Sequence, residues 1–89
     1  MVEREVKIVN RLGLHARAAA KLVHLAGRYQ SRVILLRNGE EVDAKSILGV
    51  LLLAAGQGSH IRVRCIGEDE EEAMTALTEL VAERFGEEN

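Results

Sequence analysis

A histidine and an arginine two positions apart, within Gly13 to Arg17, are the residues whose types and spacing best suit chemistry. An alanine-rich run follows, so His15 is expected where a loop becomes a helix. The first N–H groups of a helix have no partners within it, and the helix dipole is positive there. This setting favours a neutral, nucleophilic imidazole and stabilises an anion attached to it.

These features predict a ring that accepts a phosphoryl group as a covalent intermediate. The backbone N–H groups of Ala16, Arg17 and Ala18 would meet the phosphate oxygens, and the Arg17 side chain would add a charge-assisted contact. A histidine and an arginine at a helix start are also ordinary surface residues, and spacing alone does not separate the two interpretations. No nucleotide loop or carboxylate pair accompanies His15, which disfavours an enzyme that uses it alone as a general base.

A second segment, Lys45 to Gly49, begins a short helix, predicted over 47–53, that is apolar almost all round. Ser46 is expected to cap it, because a serine oxygen accepts hydrogen bonds from N–H groups at a helix start. A small domain cannot bury every face of such a helix, and Val50 and Leu53 share the face expected in the core. The face left exposed, called the apolar patch below, consists of Ile47, Leu48 and Leu51. Exposed patches of this kind usually mark partner sites.

A phosphate on Ser46 would be tolerated at the positive end of this helix, yet it would add about −1.5 to −2 charges beside the apolar patch. Ser46 would then switch partner choice without refolding the chain. A serine that only caps the helix explains the same residue, and the two roles are compatible. A regulatory binding module that uses the apolar patch, with His15 idle, is therefore a second hypothesis.

Composition limits the class of protein. The 89 residues suit one domain over 1–89, with an ordinary globular balance of 47% hydrophobic and 29% charged residues. Two aromatic residues and a net charge of −2 argue against a nucleic-acid binder or an anionic-membrane binder.

Location and metal binding are constrained by the same residues. The longest apolar run is far short of the roughly 20 residues that a membrane-spanning helix needs. A lone cysteine, Cys65, forms no internal disulfide and is expected in the core, so a cytoplasmic protein is predicted. His15, His24 and His60 lack the spacing of a ligand set, and no metal or cofactor is predicted.

Apolar periodicity predicts the element order βαββαβα. Strands are predicted over 2–9, 32–37, 41–43 and 60–66, and helices over 16–26 and over 47–53. A last helix is predicted to begin at the acidic run 68–72, which lies before and within its first turn. The last helix would bury Ala73, Leu77, Leu80 and Val81. Asn38-Gly39 is a specific hairpin signal between the second and third strands. One-sided strands and amphipathic helices together indicate an α+β fold, an antiparallel sheet with every helix on one face.

Two segments carry a family resemblance. Asn10 to Arg17 resembles the phosphohistidine motif, and Lys45 to Val50 the regulatory-serine motif, of HPr, the histidine-containing phosphocarrier family of the bacterial phosphoenolpyruvate-dependent phosphotransferase system. The resemblance extends over essentially the whole chain, including Asn38-Gly39 and Gln57-Gly58. It implies an open-faced β-sandwich, with four antiparallel strands ordered 1-4-2-3 and three helices covering one face.

The resemblance also implies a function. His15 would accept a phosphoryl group at Nδ1 from phospho-enzyme I, with phosphoenolpyruvate as the ultimate donor, and pass it to enzyme IIA proteins. Arg17 would contact the phosphate, and Ser46 would be modified by HPr kinase/phosphorylase in bacteria that have one. The apolar patch would be the docking surface for these partners. In the second hypothesis, a transcriptional regulator or a transporter would bind the same patch. The chain is expected to act as a carrier without a cofactor, not as an autonomous enzyme, and nothing in its sequence demands more than a monomer.

One position departs from the family pattern. Proline usually follows the arginine of the phosphohistidine motif, whereas this chain has Ala18. Alanine gives up the preset backbone of proline but keeps one more N–H donor. Phosphotransfer is expected to survive this change. The branch stays open between classical sugar uptake and a regulatory, nitrogen-linked variant that acts mainly by protein–protein binding.

Overall fold

Alternating apolar residues build a four-stranded antiparallel sheet in the computed structural model, which describes residues 1–88. Its strands are β1 (Val2–Lys7), β2 (Arg32–Arg37), β3 (Glu40–Asp43) and β4 (His60–Ile66). The helices are α1 (Ala16–Ala26), α2 (Ile47–Leu52) and α3 (Glu70–Ala82), and a 3₁₀ turn at Arg84–Gly86 follows α3. The sheet order β1-β4-β2-β3 and the βαββαβα sequence of elements confirm the predicted α+β open-faced β-sandwich. Asn89, the last residue of the predicted domain, lies outside the described residues.

Three predicted boundaries were wrong by one or two residues. β1 ends at Lys7 rather than Val9, because Ile8 leaves the β4 ladder and exchanges backbone hydrogen bonds with the loop before β4. β3 begins at Glu40, which pairs with Arg37, because a tight turn with positive φ at its two central residues closes the hairpin there. α2 ends one residue early, at Leu52.

The core lies between one face of the sheet and the helices. Along β4 the buried side chains alternate with more exposed ones, and they are Ile61, Val63 and Cys65. Burial raises the pKa of the Cys65 thiol to about 11, with Glu70 and Asp69 adding to the effect, so this thiol stays protonated near neutral pH. The α3 prediction needs one correction: Met74 is buried, whereas Leu80 is only half-buried. No helix among residues 1–88 combines the length and apolar character needed to cross a bilayer.

The chain turns back toward α1 after α3, and residues 84–88 are called the C-terminal strap below. Arg84 and Phe85 both have positive φ, of 59° and 55°, which reverses the chain direction. Phe85 is 0% exposed and is the largest fully buried side chain, and its carbonyl oxygen accepts a 2.7 Å hydrogen bond from Lys21 Nζ of α1. The strap is therefore packed into the fold, which the sequence pattern did not predict.

Replacing Phe85 with alanine is expected to destabilise the protein by about 3 kcal/mol, because it leaves a cavity beneath the strap. Urea denaturation measures the change, and Glu88→Ala, at an exposed strap residue, is the matched control. A loss below about 1 kcal/mol would show that the strap is not an anchored part of the fold.

Candidate functional site

His15 is the N-cap residue of α1, where the sequence predicted the loop-to-helix boundary. Its backbone is extended (φ −72°, ψ 176°), and its carbonyl oxygen accepts a 2.8 Å bond from Ala19 N that closes the first turn. Within residues 1–88 the N–H groups of Ala16, Arg17 and Ala18 donate no hydrogen bond. The imidazole forms no capping bond, and its side chain is 27% exposed. A partly exposed ring therefore sits beside three free backbone donors.

The loop before α1 is held by its own hydrogen bonds and by a close backbone approach. Asn10 Nδ2 donates to the Gly13 oxygen over 2.8 Å, and Leu14 N donates to the Ala55 oxygen over 2.9 Å. Gly13 has φ +66°, and a Cβ there would lie 2.6 Å from the Ala55 oxygen. Only glycine fits this position, and the approach fixes where the helix can begin.

Glu87 of the C-terminal strap reaches the same ring. Its Oε2 contacts His15 Nε2, and its Oε1 accepts a 3.1 Å bond from Asn10 Nδ2. The hydrogen bond to His15, followed by that to Asn10, lowers the pKa of the Glu87 carboxyl, which is therefore ionised near neutral pH. His15 Nδ1 has no hydrogen-bond partner among residues 1–88.

Arg17 lies in the first turn of α1, two residues after His15. It helps to line a shallow cleft of about 530 Å³. The cleft is formed by Arg11, Leu12, His15, Ala16, Arg17, Glu87 and Glu88. The Arg17 guanidinium is in no ion pair or side-chain hydrogen bond within the described part of the chain, so it is available to an anion at the ring. The predicted group His15, Ala16, Arg17 and Ala18 is thus contiguous in space.

Sequence reasoning missed two members of this site. Asn10 lies within the phosphohistidine motif, which gives it no role of its own, and no motif includes Glu87. The only signal for Asn10 was its side-chain amide three residues before Gly13, a spacing typical of turns closed by a side chain. Nothing in the local pattern around Glu87 shows that the strap returns to α1.

Ser46 is the N-cap of α2, as predicted. Its Oγ accepts a 3.2 Å bond from Gly49 N, and its carbonyl oxygen accepts a 3.0 Å bond from Val50 N. The hydroxyl therefore lies at the helix start, on a half-buried residue. Ser46 therefore caps α2, and its phosphorylation stays a prediction.

The faces of α2 are divided as the sequence predicted. Val50 and Leu53 are buried, while the exposed large apolar residues of the helix are Ile47, Leu48, Leu51 and Leu52. Leu52, at 65% exposed, extends the apolar patch beyond the three predicted residues. Leu12 is also 65% exposed and lines the His15 cleft. Large apolar side chains are thus exposed both at the cleft and on the helix that packs against α1.

The other histidines do not join His15. His24 lies in the last turn of α1, and His60 begins β4. Among residues 1–88 no group of three or more His, Cys, Asp or Glu side chains is placed to hold a metal ion.

Known proteins are similar to this chain in both fold and sequence. The family model described as "PTS HPr component phosphorylation site" matches residues 2–83. Phosphocarrier protein HPr of Cupriavidus necator is 58% identical over 87 residues, covering 98% of each chain. The solved structure of HPr-C-His from Thermoanaerobacter tengcongensis superposes with a TM-score of 0.97 at 40% identity, covering 100% of both chains. An HPr dimer from the same organism gives a TM-score of 0.79 at 40% identity, covering 98% of this chain and 100% of that one.

Ser46→Ala is expected to lower the free energy of unfolding by about 1 kcal/mol, because it removes the cap of α2. Ser46→Asp should retain most of that stability, since aspartate caps helices as well as serine does. Urea denaturation of both variants measures the difference. Equal stability of the alanine variant and the parent chain would contradict the capping role.

Proposed function

Because the chain belongs to the HPr family of the phosphotransferase system, we propose that His15 carries a phosphoryl group on Nδ1. Phospho-enzyme I would donate the group, phosphoenolpyruvate would be its ultimate source, and enzyme IIA proteins would receive it. The observation that carries the proposal is a partly exposed ring with a free Nδ1 beside three unpaired helix N–H groups.

In each direction, phosphoryl transfer forms one bond to phosphorus and breaks another. The Nδ1 lone pair attacks phosphorus as the bond to the donor breaks, and the leaving atom of the donor keeps the electron pair. An acceptor reverses the step by attacking the same phosphorus, and the pair returns to Nδ1. The three N–H groups and the Arg17 guanidinium stabilise the charge on the phosphoryl oxygens in both directions.

Ala18 fits this role because of its position in the first turn. Its side chain is fully buried, while its N–H is one of the three free donors. The proline usual in the family has no N–H at this place. We propose that the extra donor replaces some of the lost backbone stiffness in fixing the phosphoryl group.

Carrying a group without turning over a small molecule requires protein partners, which we propose dock on the apolar patch. Ile47, Leu48 and Leu51 are exposed on a helix that packs beside α1. HPr kinase/phosphorylase, where the cell has one, would place a phosphate on Ser46 at the edge of this surface. A transcriptional regulator would bind the same face.

We propose that the chain works as a cytoplasmic monomer, because self-association through the apolar patch would cover the surface that its partners need. The similar solved structure described as a dimer makes the oligomeric state worth measuring. Light scattering after gel filtration would distinguish the two states directly.

A regulatory variant is the second candidate, favoured by the size of the exposed apolar surface on α2. Such a variant, linked to nitrogen metabolism, would act mainly by binding rather than by sugar uptake. Ser46→Asp would then alter partner binding, while His15→Ala would leave the cellular function intact. Loss of function in His15→Ala favours the carrier.

Incubation with enzyme I and radiolabelled phosphoenolpyruvate is expected to give an acid-labile, base-stable phosphate that His15→Ala lacks. Arg17→Ala should lower the rate of labelling roughly tenfold, because it removes one charged contact to the phosphate. His24→Ala, on the same helix, is the matched control and should label normally. The carrier proposal would be wrong if the intact chain gained no label or if His15→Ala kept it.

Leu48→Glu should raise the KM for labelling by enzyme I while the melting temperature hardly changes, since Leu48 is 65% exposed. The variant places a charge in a surface that must desolvate on docking. Thr75→Glu, at an exposed position of α3, adds the same charge elsewhere and should leave the KM unchanged. A KM equal to that of the parent chain would remove Leu48 from the docking surface.

A further inference from the structure

We propose that Glu87 is a positioning residue for phosphoryl transfer at His15: its carboxylate holds the Nε2–H and so keeps the lone pair on Nδ1. The inference rests on the proposed carrier function and adds to it a residue of the C-terminal strap. It assigns the strap a role in selecting the reactive ring nitrogen.

The two oxygens of Glu87 have two different donors. Oε2 contacts His15 Nε2, and Oε1 accepts the 3.1 Å bond from Asn10 Nδ2. Asn10 is fully buried, and its Nδ2 also donates to the Gly13 oxygen over 2.8 Å. The carboxylate is therefore aimed at the ring by a side chain that is itself fixed.

A neutral imidazole carries one proton, and its other nitrogen carries the lone pair. An ionised carboxylate can only accept hydrogen bonds, so the nitrogen that contacts Glu87 must carry the proton. With the proton on Nε2, Nδ1 is the nucleophile. The contact thus selects the tautomer needed for attack through Nδ1.

The backbone of the strap places Glu87 at this ring. Phe85 is buried beneath it, Lys21 Nζ donates to the Phe85 oxygen over 2.7 Å, and Glu87 N donates to the Arg84 oxygen over 2.9 Å. Gly86 has φ +79°, a conformation that favours glycine. The side chain of Glu87 is thus presented by a segment tied to α1, not by a loose terminus.

The carboxylate also compensates charge during the reaction. When the N–P bond forms at Nδ1, the ring keeps its Nε2 proton and becomes cationic, and no proton has to leave. A carboxylate at Nε2 stabilises that cation, which the positive end of α1 would otherwise disfavour. Arg11 and Arg17 line the same cleft and supply positive charge for the phosphoryl oxygens, and Glu88 is the other acid there.

The first test reads the tautomer directly. In ¹⁵N-labelled protein at mildly alkaline pH, the His15 ring is expected to show a protonated Nε2 and an unprotonated Nδ1. Glu87→Ala should give a mixture of tautomers, and Glu87→Asp, which keeps a carboxylate, should restore part of the selection. Glu71→Ala removes an exposed acid of α3 that does not line the cleft and should change nothing, and the His24 ring serves as an internal reference in every sample.

The second test measures reactivity without a protein donor. Phosphoramidate transfers its phosphoryl group to a ring nitrogen as its own P–N bond breaks and ammonia leaves. Glu87→Ala should be phosphorylated at His15 roughly tenfold more slowly than the parent chain. Glu87→Asp should recover part of that rate, and Glu71→Ala, on the exposed side of α3, should be phosphorylated as fast as the parent chain.

The outcomes separate this inference from the proposed function. An unchanged tautomer in Glu87→Ala, or a changed tautomer with an unchanged rate, overturns the positioning role. If the tautomer and the rate both depend on Glu87, the positioning role is supported. Failure of phospho-enzyme I to label the chain would count against the carrier proposal alone. Partial recovery in Glu87→Asp excludes simple detachment of the strap as the cause.

Discussion

The site depends on the N–H groups at the start of α1, which have no hydrogen-bond acceptor within the helix. Together with the helix dipole, they create a positive potential around His15. The side-chain oxygen of a serine or aspartate at the N-cap would accept a hydrogen bond from one of these N–H groups. His15 occupies the N-cap without doing so. The N–H groups therefore remain available to an external anion, and the His15 ring is a nucleophile to which such an anion can be attached.

The rest of the fold keeps this arrangement in place. The sheet and the helices bury an aliphatic core, Gly13 sits against the backbone after α2, and the strap returns from α3 to the same loop. Parts of the chain distant in sequence thus converge on one imidazole. Gly13 fixes where α1 begins, and Glu87 of the strap contacts Nε2 and leaves Nδ1 free.

Much of this was predictable because it is local. The positions of His15 and Ser46 follow from the loop and helix patterns around them, and the division of α2 into buried Val50 and exposed Leu48 follows from helical periodicity. The contact of Glu87 with His15 spans 72 positions and depends on two consecutive non-glycine residues with positive φ, for which local propensity gives no signal. Strand ends such as Lys7 were misplaced because tertiary hydrogen bonds, not side-chain pattern, decide where a ladder stops.

The most direct test of the central claim is an NMR spectrum of the phosphorylated, ¹⁵N-labelled chain. Phosphorus should couple to Nδ1 of His15, and the backbone amide protons of Ala16, Arg17 and Ala18 should move downfield together as they begin to donate to the phosphoryl oxygens. Phosphorus bound to Nε2, or amide signals that stay where they were, would contradict the account.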